Sequence, residues 1–362
     1  MSGYVPPVRD DLVGVEPYGA PQIVVPVRLN VNENPFGPSP AMVEAVAEEV
    51  AAAVEEINRY PERDFLALRA ALGEYLGNEA GVRVSPEQIF AANGSNEVMH
   101  QLFLAFGGPG RTALSFDPTY SMYPEYARDT FTTYVTIPRN PDFTINVEDA
   151  IHAIDVHKPN LVVVTSPNNP TGTAVDLQTI ERLAAVAPGL LIVDEAYAEF
   201  RREGTPSALE LLDRWPNLVV SRTMSKAFAC AGLRLGYFAA ASPEVVDAVR
   251  VVRLPYHLSA VTQAVALTAL NFADELLSNV HVLREERDAL VHWLRERGFT
   301  VADSDANFIL FGMFDDRHAI WQGLLDEGVL IRETGPEGWL RVSVGSPAEN
   351  AAFKAALDTV AP

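Results

Sequence analysis

Between residues 88 and 252, short apolar runs alternate with helical stretches, and no other feature narrows the possible folds as much. The runs at 88–92, 112–116, 132–137, 161–165, 190–194, 218–222 and 235–240 are expected strands. The stretches at 95–106, 119–128, 147–157, 176–187 and 243–252 are expected helices. Strands that are apolar on both faces need cover on both faces. Alternation with helices supplies it, so the pattern predicts an α/β fold with a mostly parallel central sheet. Such sheets collect ligands at the carboxyl ends of their strands. Chemistry is therefore expected just after residues 92, 116, 165, 194 and 222.

The flanking sequence has a different texture. Residues 1–38 are rich in Pro, Gly and Val, lack sustained periodicity and read as an extended N-terminal arm ending in Asn-Glu-Asn-Pro-Phe-Gly-Pro. Ser39-Pro40 looks like a helix cap followed by proline at the first helical position, with the helix over 41–57. After residue 255 a long helical stretch (259–297) precedes short strands near 299–302, 307–312 and 339–344. Helices near 317–327 and 347–358 complete that part. At roughly 150 residues per domain, 362 residues suit two domains plus an arm. The expected division is an arm (1–38), a large domain (39–255) and a smaller α/β domain (256–362) packed with part of the arm.

Composition removes several function classes. Acidic residues number 48 against 27 basic, for a net charge of −21, which argues against a nucleic-acid partner and against an anionic membrane surface. The single Cys230 excludes an internal disulfide framework and fits a reducing compartment. No secretory leader and no apolar run long enough for a membrane span are visible, so a cytoplasmic protein is expected, and no metal is called for. Only three residues are lysines, Lys158, Lys226 and Lys354, so chemistry that needs a primary amine has three candidates.

Each predicted strand end carries polar groups. Thr223-Met224-Ser225-Lys226 follows 218–222, and small apolar residues, Ala227 to Gly232, follow in turn. A lysine there is partly desolvated, which favours a neutral amine able to form a Schiff base. Most lysines are surface residues; Lys158, in a turn, and Lys354, in the terminal helix, read that way. A Schiff-base amine suggests pyridoxal phosphate, which needs an acid at its ring nitrogen and donors around its phosphate. Asp194, at the end of 190–194, can be the acid or simply cap the following segment. Tyr197 and Asn169 can reach the ring hydroxyl, although Asn169-Pro170-Thr171-Gly172 also suits a plain turn. Gly94-Ser95-Asn96-Glu97 opens a helix with free N–H groups, and Thr223, Ser225 and Arg234 complete a candidate phosphate cup. Tyr120 can stack on a ring or pack in the core.

The segment Thr223-Met224-Ser225-Lys226-Ala227-Phe228-Ala229-Cys230-Ala231-Gly232-Leu233-Arg234-Leu235-Gly236 resembles the cofactor-attachment signature of fold-type I pyridoxal-phosphate aminotransferases. Ser166 to Gly172 and Asp194 to Tyr197 fit the same family in order and spacing. Pro17 to Pro21, Arg28 to Pro35, Asn58-Arg59-Tyr60-Pro61, Ser304 to Phe308 and Leu340 to Gly345 are similar to the histidinol-phosphate aminotransferases within it. The resemblance spans nearly the whole chain. It implies that Lys226 attaches pyridoxal 5'-phosphate and that Asp194 pairs with the ring nitrogen. It further implies that Asn169 and Tyr197 bind the ring hydroxyl and that Tyr120 stacks on the ring. Ser95, Asn96, Thr223, Ser225 and Arg234 would hold the phosphate, with Tyr60 arriving from the partner subunit of a homodimer. Arg341 would bind the substrate's anionic end, helped on the phosphate side by Arg332 and Tyr18. Asn96 stands where many relatives carry an acid, a change that matters little if its backbone N–H does the binding.

The implied reaction exchanges the amino group of L-histidinol phosphate with 2-oxoglutarate, giving imidazole acetol phosphate and glutamate, in two ping-pong halves within histidine biosynthesis. Arginine suits a site that must take both a phosphate monoester and a dicarboxylate. The competing readings are an aromatic amino acid aminotransferase and a decarboxylase of phosphorylated amino acids. A transcription regulator with an aminotransferase-like body would need a DNA-binding domain, for which a 38-residue arm is too short. A dehydrogenase lacks its Gly-x-Gly-x-x-Gly after the first strand.

Overall fold

The computed structural model describes Tyr4 and residues 6–361. Residues 1–3 and 5 of the expected arm, and Pro362 of the expected C-terminal domain, lie outside the described residues. The chain begins with β1 (Val27–Arg28), α1 (Pro40–Glu55) and α2 (Leu66–Ala80). The alternating part follows as β2 (Ile89–Ala92), α3 (Ser95–Phe106), β3 (Thr112–Asp117), α4 (Tyr123–Asp129), β4 (Thr133–Pro138) and α5 (Val147–His157). It continues through β5 (Leu161–Thr165), α6 (Leu177–Val186), β6 (Leu190–Asp194), β7 (Leu218–Thr223), β8 (Gly236–Ala240) and α7 (Pro243–Val252). The last part comprises α8 (Ala260–Asn271), α9 (Ala273–Glu296), β9 (Thr300–Val301), β10 (Phe308–Gly312), α10 (Arg317–Asp326), β11 (Val329–Leu330), β12 (Trp339–Ser343) and α11 (Pro347–Val360).

Seven strands form the central sheet in the order β2-β8-β7-β6-β5-β3-β4, and only β8 runs antiparallel to its neighbours. Every residue of β5, β6, β7 and β8 is buried, as a sheet covered on both faces requires. Register places Thr165 beside Asp194, and Asp194 beside Ser221, so adjacent strand ends bring their polar residues together. Beneath them Arg222 is fully buried and pairs with Glu195 at 2.8 Å, Glu199 at 3.0 Å and Glu79 at 3.0 Å. That cluster pins α2 to the sheet.

Helix starts follow their sequence signals. Ser39 accepts from the Met42 N–H ahead of Pro40, Asp176 accepts from the Thr179 N–H, and Ser346 forms a capping box with Glu349. Three helical features depart from expectation. The stretch 259–297 is two helices that meet at Phe272, where Asp274 and Glu275 begin a fresh acidic first turn. Helix α4 starts at Tyr123 and not at 119, with Pro124 in its first turn; residues 119–122 stay outside the helix. Helix α2 was not expected. Gly73 and Gly77 weaken its intrinsic preference, yet a Cβ at either would press on the Val84 or Val82 carbonyl oxygen at 2.9 and 2.8 Å.

The C-terminal part builds a three-stranded antiparallel sheet, β12-β10-β9. The arm joins it through the parallel pair β1–β11. No helix among the described residues is long and apolar enough to cross a membrane.

Candidate active site

A cavity of about 270 Å³ opens where β5, β6 and β7 end, between the central sheet, the arm and the C-terminal sheet. Of the residues singled out in the sequence, all but Tyr60 line it. Tyr60 is 81% exposed and stacks on Tyr256, with ring centroids 4.5 Å apart.

One end of the cavity is a cradle of donors. Gly94 precedes α3 with φ +88 and caps it without a side-chain bond, which leaves the first N–H groups of the helix, at Ser95 and Asn96, free. A Cβ on Gly94 would lie 2.7 Å from Nη2 of Arg234, and one on Gly236 would lie 2.1 Å from the Ser95 nitrogen. These two glycines let the guanidinium and the start of β8 close against the helix terminus. Thr223 donates to Oγ of Ser225 at 3.1 Å, and Arg234 Nη1 lies 3.5 Å from the same oxygen.

At the centre lies Asp194. Its Oδ2 accepts from the Tyr123 hydroxyl at 2.8 Å and its Oδ1 from the Ser221 hydroxyl at 3.0 Å. Burial pushes this carboxyl upward, and the two hydroxyl donors oppose that shift. No cationic side chain pairs with it among the described residues. Nζ of Lys226 donates to the Val31 carbonyl at 2.9 Å and lies 5.9 Å from the centre of the Tyr197 ring. Burial, reinforced by the charges of Arg341 and Arg234, brings this amine down to about 8.

The outer wall holds the remaining arginines. Arg341 donates from Nη1 to Asn169 Oδ1 at 2.6 Å and from Nη2 to the Asn30 carbonyl at 2.9 Å, while its buried Nε has no partner. Arg332 and Arg341 exchange backbone hydrogen bonds at 2.9 Å in each direction, which sets both guanidinium groups at one rim. Arg332 also donates to the Gly19 carbonyl at 3.3 Å, next to Tyr18. The Tyr18 ring meets that of Tyr120 edge-on at 6.5 Å. Tyr120 donates to Asn96 Oδ1 at 3.3 Å.

Several residues of the site were not singled out in the sequence. Tyr123 and Ser221 hold Asp194, and Thr165 lies 2.7 Å from the Tyr123 hydroxyl. Asn30, Val31 and Asn32 face Arg341, Lys226 and Tyr197 in turn. The arm segment holding these three had a visible signal, an unusual run of asparagines before Pro35. Tyr123 had none beyond its distance of three residues from Tyr120.

The family described as aminotransferase class I and II matches residues 25–357. A protein of Thermobifida fusca named histidinol-phosphate aminotransferase is 62% identical over 353 residues, covering 98% of this chain and 95% of that protein. A protein of the same name from Bifidobacterium longum is 55% identical, covering 97% and 95%. The solved histidinol-phosphate aminotransferase of Sinorhizobium meliloti, in complex with pyridoxal-5'-phosphate, superposes with a TM-score of 0.86 over 99% of this chain and 98% of that one. At 24% identity that likeness is one of fold. This chain belongs to the class I and II aminotransferases, enzymes that depend on pyridoxal phosphate.

Proposed function

We propose that the enzyme transfers the amino group of L-histidinol phosphate to 2-oxoglutarate, as a homodimer in which Tyr60 of each subunit reaches the other's site. The observation that carries this reading is the charge layout of the cavity. Arg234 stands in the donor cradle, and Arg332 and Arg341 stand at the rim, of a cavity in a chain of net charge −21. Two anionic groups of a substrate and one of a cofactor can each find an arginine. Relatives named for histidinol phosphate at 62% and 55% identity support the choice of substrate. The exposure of Tyr60, of Tyr256 stacked on it and of nearby Ile57 supports a second copy as cover.

The donor set fits the cofactor. The Gly94 and Gly236 cradle leaves free N–H groups beside Arg234, as a phosphate requires. Asp194 is a buried acid without a cation, as a protonated ring nitrogen requires. When bound, pyridoxal phosphate supplies a conjugated ring that takes up the electron pair released at the substrate carbon. Asp194 holds the proton on the ring nitrogen. Asn169 and Tyr197 bind the ring oxygen, and Tyr120 covers the ring face. Lys226 would attach the cofactor, and its free Nζ would move the proton to and from the substrate carbon as base and acid. Arg341 binds the carboxylate of glutamate or the anionic end of the other substrate, with Arg332 and Tyr18 on the phosphate side.

Comparison of kcat/KM for histidinol phosphate and phenylalanine tests the substrate. Histidinol phosphate is expected to win by roughly a hundredfold or more, because phenylalanine has no phosphate to pair with the rim arginines. A preference for phenylalanine overturns this reading in favour of an aromatic aminotransferase. The lowered amine gives a second expectation. Only the unprotonated Lys226 can attack the cofactor, so covalent capture by the apoenzyme should accelerate with pH up to about 8 and level off above it. A stopped-flow record of visible absorbance checks this; a rate still climbing toward 10.5 would mark Lys226 as an ordinary amine.

A further inference from the structure

Behind Tyr197 runs a chain of hydrogen bonds whose direction is fixed at one end. The backbone N–H of Asn32 donates to the Ser343 hydroxyl at 2.8 Å. A backbone N–H can only donate, so the Ser343 oxygen receives there and must place its own proton elsewhere. It gives that proton to Oδ1 of Asn32, at 3.0 Å. The amide nitrogen is then the other end of the Asn32 side chain, and it donates to the Tyr197 hydroxyl at 3.0 Å. Tyr197 therefore receives from behind. No acceptor for its own proton stands among the described protein groups, and its residue lines the cavity.

The surroundings hold this arrangement rigid. Asn32, Ser343 and Tyr197 are all buried. Asn32 has φ +57, in the left-handed region that asparagine tolerates better than most residues. Its carbonyl accepts from Nδ2 of Asn307 at 3.1 Å. Ser343 ends β12 and Asn307 precedes β10, so the C-terminal sheet orients an arm residue, which in turn orients a tyrosine of the central domain.

We propose that Asn32 is a positioning residue which, with Ser343, locks the Tyr197 hydroxyl as a donor into the cavity, toward the ring oxygen of bound pyridoxal phosphate. This rests on the placement of Tyr197 against that oxygen given above. A donor already aimed at an oxygen that carries negative charge needs no reorientation when the cofactor arrives or reacts. It also weakens the hold of that oxygen on a neighbouring proton. Loss of the donor moves the pH at which the cofactor's visible absorbance changes to a higher value.

The test uses the holoenzyme and follows that absorbance midpoint. Asn32→Asp keeps the shape but offers two acceptor oxygens, so the Tyr197 proton turns backward. The midpoint is expected to rise by about one pH unit, as for Tyr197→Phe. The double variant should rise no further than Tyr197→Phe alone, since both changes remove the same donor. Ser343→Ala, which keeps Asn32, should shift the midpoint in the same direction, and Ser343→Thr should restore it. An unchanged midpoint in Asn32→Asp and Ser343→Ala, beside a shifted Tyr197→Phe, overturns the relay alone. A shift by Asn32→Asp that adds fully to Tyr197→Phe reveals a plain charge effect and also overturns it. An unchanged midpoint in Tyr197→Phe overturns the placement of Tyr197 itself.

Discussion

Lys226→Ala should lower kcat by roughly a thousandfold or more and abolish the visible absorbance of the covalently held cofactor. Neither of the other two lysines can substitute. Lys158 is exposed and paired with Asp155, and Lys354, on α11, lies over Trp293 of α9. The variant should nevertheless fold. Burial and neighbouring arginines bring the amine down to about 8 from 10.5, so the folded chain binds fewer protons than the unfolded chain between those values. Stability from this group therefore rises with pH across that window, and below it the buried ammonium is a cost. At pH 7 the Lys226→Ala apoprotein should melt no lower than the wild type. Turnover within tenfold of wild type sinks the assignment of Lys226. A melting point far below wild type at pH 7 would assign the lysine a structural role.

The wound sheet was legible because its strands are nearly continuous β-branched and aliphatic runs, and burial on both faces demands such runs. The lysine, the acid and the arginine of the cradle were legible because strand ends are where such folds gather ligands. What stayed hidden was either very short or contributed by distant segments. The pair β1–β11 has two residues on each side, too few to show a period. The two glycines of α2 suit its packing and obscure its helical preference. Asn32 acts on partners 165 and 311 residues away, and Tyr123 on one 71 residues away, so their roles exist only once the chain has returned on itself. Tyr60 points to a shared site through resemblance alone.

Asp194→Asn should separate activity from stability more sharply than any other change at the site. The amide has the shape of the carboxyl, and its neighbours can adapt. The Ser221 hydroxyl can still donate to the amide oxygen. The Tyr123 hydroxyl can accept from the amide nitrogen and donate to Thr165, 2.7 Å away. What disappears is the charge. Burial raises the Asp194 carboxyl above its ordinary 3.8, so the folded apoprotein holds that proton more tightly than the unfolded chain does. Stability from this group is then lost as pH rises from the ordinary carboxyl range toward and through the raised value, so at pH 7 the group is a net cost. The Asp194→Asn apoprotein should therefore be at least as stable as wild type at pH 7. Its kcat should fall by about a hundredfold to a thousandfold, because no anion remains to hold the proton on the ring nitrogen. The rise in melting temperature on adding pyridoxal phosphate should shrink as well, since the wild-type carboxylate gains its cation only in the holoenzyme. Turnover within tenfold of wild type would remove Asp194 from the chemistry. A less stable apoprotein would show instead that the carboxylate serves the strand end, with its two hydroxyl donors as sufficient partners.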